Sequence, residues 1–289
     1  MSHLSFYDIA HVKGVAAYFS HIETRAQGTA HDGLSRLADC LKDANIMLIP
    51  EGVPRKPGMT WDDLINTSAP IVEQLTHACA LHCPKAIICT TNPVNSTAPI
   101  AAETLKTNGS YGPHRLFGVT KLEVVRSNTF IADAKKIDVR KVFVRSLEAF
   151  PALQLCLSFY SSFTVSFPRE ERQKLKTPIH KSVTKAVEAK AGTGSATLSM
   201  VYSVVRFATS LMEAMSGHAG IVACAFVQSD VSKCKFFATP ITLDPKGVER
   251  NMDIGKLSKF EIELLNVVMF EVEKNIKRDK KFTTTFKPT

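Results

Sequence analysis

The sequence predicts an α/β protein built on a doubly wound sheet, and two stretches carry that prediction. In the first, an apolar strand at residues 86–88 leads into the polar turn Asn92–Pro93 and then into an apolar helical run. In the second, a strand at residues 116–120 is followed directly by a helical run at residues 121–136. Strands that end in polar turns before helices present groups to ligands at the carboxyl edge of such a sheet. A connection without any site would look the same.

The remaining elements follow from apolar spacing and helix signals. Ser96 or Thr97 is expected to cap the helix after Asn92, with Pro99 in its first turn. The long helix at residues 62–81 has an apolar face at Leu64, Ile71, Leu75 and Ala78. The other predicted helices are residues 12–22, 34–44 and 260–281, with a further helix beginning near Met200 after a glycine-rich approach. The other predicted strands are residues 4–8, 45–50, 221–227 and 234–241.

Size and charge restrict the class of protein. A chain of 289 residues is long enough for two domains, which we divide at Arg115 into residues 1–115 and 116–289. No apolar run reaches the roughly 18 residues of a membrane span, so we expect no membrane partner. The net charge of +9 is spread along the chain, with one basic cluster at residues 274–282. Nucleic-acid binding would need a concentrated patch, so we favour a solvated terminal face and expect no nucleic-acid partner.

The seven cysteines are odd in number and irregular in spacing, which indicates reduced thiols in a reducing compartment. Cys79, His82 and Cys83 could be a fragment of a metal site or could simply pack on a helix. No second pair of ligands stands at zinc spacing, so we expect no metal. The N-terminal residues have the features of neither a signal peptide nor an Arg-rich transit peptide, which would suit the cytoplasm.

Four long motifs, in this order, resemble malate dehydrogenase of the mitochondrial type, in the lactate/malate dehydrogenase family. They are VPRKPGMTWDDL at residues 53–64, NPVNSTAPIAAETL at 92–105, RLFGVTKLEVVRSNTF at 115–130 and AKAGTGSATLSMVYSVVRF at 189–207. The resemblance implies NAD-dependent interconversion of malate and oxaloacetate. It also implies a Rossmann-like domain followed by an α+β catalytic domain, a homodimer, and location in the mitochondrial matrix.

The substrate residues carried over by this resemblance are arginines and one amide. Arg55 and Arg126 match arginines that bind the carboxylates of a dicarboxylic acid, for which the guanidinium fork is suited. Asn92 matches a substrate and cofactor contact. Glu123 stands where the family has the aspartate that orients the catalytic histidine. Without the family, Glu123 and Arg126 would be read as a plain intrahelical ion pair.

The cofactor residues carried over are Asp8, Ser68, Thr91, Asn92 and Met200. Asp8 ends a strand, where an acidic residue accepts hydrogen bonds from the adenosine ribose. Met200 could equally be a core residue. No G-x-G-x-x-G stands near the start of the sequence. We therefore expect a Rossmann-like domain lacking its first strand and glycine loop, and weakened NAD binding, because that loop holds the pyrophosphate.

Three departures affect the chemistry. Trp61 replaces the arginine that polarises the substrate carbonyl, and Glu51 places a carboxylate near the pyrophosphate. Residues 145–165 do not resemble the family, and an ungapped count puts Phe150 at the catalytic histidine, where no proton can be transferred. Codons for Pro-Val-Ile-Gly-Gly, read out of register, can encode Arg-Ser-Leu-Glu-Ala, which are residues 145–149. A frameshift near Val144 would explain the divergence, and we expect this segment to be poorly packed or disordered.

The sequence therefore predicts severely impaired malate dehydrogenase activity. The alternative is a catalytically inactive paralogue or retrocopy product that acts, if at all, by dimerising with family members through residues 12–22 and 62–81. His218 lies in a GHAG string like that around the family's catalytic histidine, but it stands far beyond the expected place. We expect His218 to be a surface loop residue.

Overall fold

The computed structural model describes residues 1–50, 61–142, 145–147, 156–158, 185–186, 188–191 and 197–252, and residues 259, 262–263, 265–266, 269–270, 272–274 and 276. Side chains at positions 61, 62, 64, 123, 145–147 and 156–158 are not described. The predicted strands and helices alternate as expected, so the α/β class is confirmed.

The elements are given in chain order in two groups, of which the second begins with two short strands inside the divergent segment, residues 145–165. The first group is β1 (His3–Asp8), α1 (Val12–Phe19), β2 (Gln27–Asp32), α2 (Leu37–Leu41), β3 (Ile46–Ile49), α3 (Trp61–His82), β4 (Ile87–Thr90), α4 (Val94–Thr107), β5 (Leu116–Gly118) and α5 (Lys121–Lys135). The second group is β6 (Arg145–Leu147), β7 (Cys156–Ser158), α6 (Thr197–Met215), β8 (Ile221–Gln228), β9 (Phe236–Asp244) and β10 (Gly247–Asn251).

The described strands form three sheets. The largest has the order β10-β9-β8-β5-β4-β3, in which β3, β4 and β5 are parallel and the last three strands are antiparallel. β1 and β2 form a separate two-stranded parallel sheet, and β6 pairs antiparallel with β7. The carboxyl ends of β4 and β5 lead into α4 and α5, which places their turns along one edge of the large sheet.

Phenylalanine side chains fill the centre of the core. Phe117 on β5 contacts Phe207 on α6, with ring centroids 5.4 Å apart, and neither side chain is exposed. Phe226 on β8 stacks on Phe236 of β9 at 6.0 Å. These contacts fasten α6 to the sheet and thereby fix the position of the helix that carries Met200.

Several predicted boundaries are wrong at the residue level. α4 begins at Val94, so neither Ser96 nor Thr97 caps it and Pro99 lies beyond its first turn. The backbone N–H groups of Ser96 and Thr97 donate instead to the Pro93 carbonyl, because the proline itself ends the turn. β2 was not predicted, since its sequence, QGTAHD, has no apolar alternation. The predicted helix at residues 34–44 is reduced to α2, preceded by a single 3-10 turn.

The predicted apolar face of α3 is correct in part, since Leu75 and Ala78 pack against the core. Ile71, Leu75 and Ala78 are half-buried, whereas the fully buried side follows Ile65, Ser68, Ala69, Val72, Thr76, Cys79 and Cys83. This buried side is made of small and polar residues, which a count of large apolar residues does not find. Cys79 and Cys83 are therefore packing residues, which is one of the two interpretations given above. The Cys79 thiol donates a hydrogen bond to Cys83, and this bond lowers the pKa of Cys83.

One carboxyl group on this buried side belongs to Glu73. Glu73 is buried, and its Oε2 atom has no hydrogen-bond partner among the described residues. Burial raises the pKa of Glu73 above its ordinary value of 4.5. The folded protein therefore holds this proton more tightly than the unfolded chain does. The bound proton of Glu73 therefore increases the free energy of unfolding. This increase is fully present below pH 4.5 and is lost as the pH rises through the raised pKa of Glu73.

We expect Glu73→Gln to raise the Tm by about 2 °C or more at pH 7.5 and to change it much less at pH 4. Thermal unfolding of both proteins at the two pH values measures this difference. Glu103→Gln is the control, because that carboxylate already pairs with Lys106 at 2.9 Å. An equal gain from Glu73→Gln at both pH values would show that charge burial is not the cause.

No helix among the described residues is long and apolar enough to cross a membrane. Within the predicted C-terminal helix at residues 260–281, Val272 and Ile276 are buried, whereas Ile262 is exposed. The predicted domain boundary at Arg115 falls one residue before β5 and stays a prediction. Most of residues 145–165 lies outside the described part of the chain, so the packing predicted for that segment also stays a prediction.

Candidate functional site

The turn between β4 and α4 is the best-defined part of the site. The peptide bond between Asn92 and Pro93 is cis. Thr97 donates its hydroxyl to the Thr91 carbonyl at 2.8 Å, and Thr91 donates its own hydroxyl to the Ile49 carbonyl at 3.3 Å. These bonds tie the turn to its own helix and to the neighbouring strand β3. Hydrogen bonds on either side of Asn92 in the structure, to α4 and to β3, therefore fix the backbone of the turn.

Asn92 faces α6. The side-chain Nδ2 of Asn92 lies 4.0 Å from the Met200 sulfur, and both side chains are half-buried. Met200 stands near the start of α6 and packs on the edge of a core cluster, whose members include Cys89 and Phe117. The structure thus brings together two of the residues predicted for the cofactor, from distant parts of the sequence.

Arg126 lies in the middle of α5, and the whole residue is buried. α5 packs against α6, so Arg126 and Met200 stand on neighbouring helices. A guanidinium group suits a substrate carboxylate, because its planar fork can make two parallel hydrogen bonds to it. Glu123 belongs to the same helix, but its side chain is outside the described set, so its role stays a prediction.

Lys121, at the start of α5, was missed by the sequence reasoning. Its side chain is buried, and burial together with nearby Arg206 lowers its pKa, an effect that Cys224 and Glu213 partly oppose. The amine is thus a second basic group on the buried side of α5. A lysine at the first position of a helix gives no signal in a single sequence, because most lysines there are solvated.

Asp8 stands at the end of β1, as predicted, and its side chain is exposed. Its Oδ1 atom accepts a hydrogen bond of 2.6 Å from the N–H of Ile9. The neighbouring strand ends in Asp32, which accepts from the Val12 N–H at 3.0 Å and therefore anchors the start of α1. An exposed carboxylate beyond a parallel strand is free to accept hydroxyl groups of a sugar.

Ser68 and Thr91 are less open than their predicted role suggests. Ser68 is only 1% exposed, and its hydroxyl has no hydrogen-bond partner among the residues described. Thr91 is buried and already donates to Ile49. A cofactor could reach the Ser68 hydroxyl only after neighbouring side chains move. Both assignments stay predictions.

Three predicted positions lie beyond what the structure describes. Arg55, Glu51 and Phe150 are in residues 51–60 and 148–155, which are outside the described ranges. Trp61 begins α3, but its side chain is among those not described. The roles predicted for these four residues therefore stay predictions. His218 is exposed in the turn between α6 and β8 and its ring bonds the Glu213 carbonyl, which confirms a surface position.

The described residues suit the two ends of NAD. Asp8 offers a charged acceptor for the ribose at one end, and Asn92 with Met200 offers an amide and a soft apolar surface at the other. No glycine-rich turn follows a strand beside Asp8 in the part of the chain described. These residues therefore do not supply the backbone N–H donors that would bind the pyrophosphate.

The sequence matches two family models that together cover most of the chain. Residues 1–118 match the NAD-binding domain of lactate/malate dehydrogenase, and residues 155–283 match the α/β C-terminal domain of the same family. Mitochondrial malate dehydrogenases are similar over almost the whole chain. Those of Homo sapiens and Mus musculus are 48% and 47% identical over 290 aligned residues, covering 99% of this chain and 86% of each relative.

Solved structures show the same fold. The malate dehydrogenase of Plasmodium falciparum superposes with a TM-score of 0.82 at 19% identity, covering 98% of this chain and 92% of that chain. The enzyme of Aeropyrum pernix gives a TM-score of 0.79 at 18% identity over 96% of this chain and 90% of that chain. The match confirms a Rossmann-like NAD-binding domain followed by an α/β C-terminal domain, and the family model implies NAD as the cofactor.

Proposed function

Because the chain belongs to the lactate/malate dehydrogenase family, we propose that it binds NAD and a dicarboxylic acid such as malate or oxaloacetate but turns them over very slowly. The observation that carries the proposal is the contact between Asn92 and Met200, which lie in the two matched domains and meet at the carboxyl edge of the sheet. Ligands of doubly wound folds bind at that edge. The relatives from Homo sapiens and Mus musculus are named as mitochondrial, and on that likeness we propose a mitochondrial location, with the cytoplasm as the alternative.

The chain's own residues divide the binding work between them. Arg126 and Arg55 would hold the two carboxylates of the acid by bidentate hydrogen bonds, and Asn92 would orient the substrate oxygen. Asp8 would hold the adenosine ribose. When bound, NAD supplies the hydride acceptor. Binding and orientation by these residues bring the reactants together, which is a large part of catalysis but does not move a proton.

The residues at the predicted catalytic positions do not support proton transfer to and from the substrate. Phe150 stands at the position expected for the general acid/base, and Trp61 at the position expected for the cation that polarises the carbonyl. Neither a benzyl group nor an indole carries a positive charge or exchanges a proton at neutral pH. Glu123 would keep the charge of the orienting carboxylate, but it would have no imidazole to orient. The supported activity is therefore ligand binding with weak turnover.

Replacing Asp8 with Asn tests the cofactor site. We expect Asp8→Asn to weaken NADH binding about 10-fold, because a neutral amide replaces a charged acceptor of sugar hydroxyls. Titration of NADH fluorescence gives the Kd of each protein. Asp39→Asn is the matched control, since Asp39 is exposed on α2 and pairs with Arg36 at 3.0 Å. Equal Kd values for Asp8→Asn and the unchanged protein would remove Asp8 from the cofactor site.

An inactive dimerisation partner is the second candidate function, and one observation favours it. Leu198, Val201, Tyr202 and Val205 share one face of α6 and are all exposed, with Leu198 82% exposed. On α1, Val15 and Tyr18 are exposed as well. Contiguous apolar surface of this kind is typical of an interface between subunits. We propose a homodimer, or a heterodimer with an intact family member, in which this face of α6 is covered.

Charged substitutions test the dimer. The double variant Val201→Glu with Val205→Glu should weaken dimerisation about 100-fold or more, because two carboxylates would be buried without partners. Sedimentation equilibrium measures the dimer constant, and His218→Glu, in an exposed turn, controls for added charge. A monomeric unchanged protein that also fails to co-purify with a mitochondrial malate dehydrogenase would exclude this candidate.

A further inference from the structure

Three buried cysteine thiols lie where α2 packs on α3, outside the candidate site. Cys79 is on the buried side of α3, and Cys83 directly follows the last residue of that helix. Cys40 is on the buried side of α2, and the two helices are in contact. All three are free thiols, and the proposed function uses none of them. They are called the thiol cluster below.

The members of the thiol cluster interact with one another. The Cys79 thiol donates a hydrogen bond to that of Cys83. Cys40 interacts electrostatically with both of them across the contact between the helices. Cys83 therefore has two candidate partners for a covalent bond, of which one is on its own helix and the other is on the facing helix.

Helix geometry disfavours a disulfide between Cys79 and Cys83. The backbone N–H of Cys83 donates to the Cys79 carbonyl at 2.9 Å, so the two residues keep the four-residue spacing of a helix. Side chains at that spacing have Cβ atoms about 5–6 Å apart. A disulfide requires Cβ atoms about 3.5–4.5 Å apart. Cys40 stands on a separate helix and is free of this restriction.

Cys83 is the member of the cluster that is best placed to react. Cys79 is fully buried, whereas Cys83 stands between His82 and Lys85, which are both exposed. The hydrogen bond from Cys79 lowers the pKa of Cys83, although burial opposes this effect. By contrast, burial raises the pKa of Cys40 to about 11, and nearby Cys83 adds to the increase. Because the thiolate is the nucleophile, Cys83 attacks first.

We propose that Cys83 is an oxidative modification site, at which hydrogen peroxide is reduced and a disulfide to Cys40 is formed. The Cys83 thiolate attacks one peroxide oxygen, the O–O bond breaks, and the departing hydroxide takes a proton from solvent to give water. Cys83 is then a sulfenic acid. The Cys40 sulfur attacks the Cys83 sulfur, so that the S–S bond forms as the S–O bond breaks. The hydroxyl leaves with the Cys40 proton as a second water, and the two thiols have supplied the two electrons.

The disulfide changes how α2 is held. In the reduced protein, α2 contacts β1, β2 and α3 only by non-covalent packing. The bond from Cys40 to Cys83 would fasten α2 to the end of α3. Thiol–disulfide exchange with a dithiol reductant would release it again, so the modification is reversible.

Peptide mapping of the oxidised protein tests the proposal. The full chain is treated with hydrogen peroxide, the remaining thiols are alkylated in denaturant, and tryptic peptides are compared before and after reduction. We expect one main disulfide, which joins the peptide of residues 37–42 to the peptide that contains both Cys79 and Cys83. Fragmentation of the linked peptides should place the bond on Cys83.

Single variants separate the roles of the two bonded residues. Cys83→Ser should abolish both the disulfide and the sulfenic acid. Cys40→Ser should abolish only the disulfide, and dimedone should then trap the sulfenic acid at Cys83. Cys89→Ser is the matched control, because Cys89 is buried on β4 and should not affect the reaction.

Cys79 is the positioning residue, and two variants test its hydrogen bond. Cys79→Ala removes the donor, so the disulfide should still form but about 3-fold or more slowly, because less Cys83 is thiolate. Cys79→Ser should restore the rate, since a hydroxyl group also donates. Equal rates for the alanine and serine variants would remove this role from Cys79.

Three results would overturn the modification site. They are a main disulfide between Cys79 and Cys83, an unchanged disulfide in Cys83→Ser, and full retention of thiols at peroxide concentrations that oxidise free cysteine. Circular dichroism of each variant before oxidation checks that it is folded. If Cys40→Ser does not fold, the peptide map of the unchanged protein decides between the two partners of Cys83.

Discussion

Purified alone, the 289-residue chain is expected to reduce NAD with malate at least about 100-fold more slowly than an intact mitochondrial malate dehydrogenase. Loss of a general acid/base typically costs about 10²–10⁴-fold, and the loss of the carbonyl-polarising cation adds to it. The rate of NADH formation at saturating malate measures the difference. A rate within about 10-fold of the intact enzyme would show that another residue relays the proton.

Single repairs should recover little of this loss. Phe150→His would place the imidazole in a segment that does not resemble the family, and a misplacement of about 1 Å can cost about 10²-fold. Trp61→Arg alone would leave no proton donor. Residues that act as a unit are strongly non-additive. We therefore expect substantial activity only when residues 145–165 are replaced by a segment bearing GGHAG and Trp61 becomes Arg in the same variant. Full activity from Trp61→Arg alone would contradict this.

The Phe207→Ala variant is expected to lose about 3–5 kcal/mol of unfolding free energy, because the vacated volume lies in the closed core. Phe207 is fully buried and its ring contacts Phe117 of β5 at 5.4 Å. Denaturant unfolding of the original and variant proteins measures the difference.

Thr209→Ala is the control on the same helix, since Thr209 is exposed and its truncation should change stability by no more than about 0.5 kcal/mol. A small loss from Phe207→Ala would mean that α6 is not fastened to the sheet by this ring. In that case the position of Met200 opposite Asn92 would also lack its support.

The sequence predicted most elements, because large apolar residues recur with clear periods in them. β4, with four buried residues, and α6, with Phe207 and Leu211 on its buried side, follow that pattern. β2 was missed because its place depends on pairing with β1 and not on its own composition. The buried side of α3 was misassigned because Ser68, Thr76 and the cysteines are buried by close packing against α4 and not by hydrophobicity.

In the candidate site, the motif at Asn92 and the helix start at Met200 could be identified from the sequence. The contact between these two side chains could not. That contact depends on the path of the chain between β5 and β8, which no local pattern specifies. The buried Lys121 was equally hidden, because its burial comes from packing of α5 on α6. The roles of Arg55, Glu123 and Phe150 rest on resemblance and stay predictions.

The junction between the parallel and antiparallel parts of the large sheet has a consequence for how the protein is made. β5 joins β8 through the single pair Gly118 and Phe226, which are far apart in the sequence. A Cβ on Gly118 would stand 2.9 Å from the Val94 side chain and 3.1 Å from that of Phe226, so the two strands meet more closely than a larger residue allows. On the ribosome, β3, β4 and β5 emerge long before β8 does, and β5 waits with an open, apolar edge. Such an intermediate is prone to aggregate, so synthesis of this chain should depend strongly on chaperones that hold exposed strands.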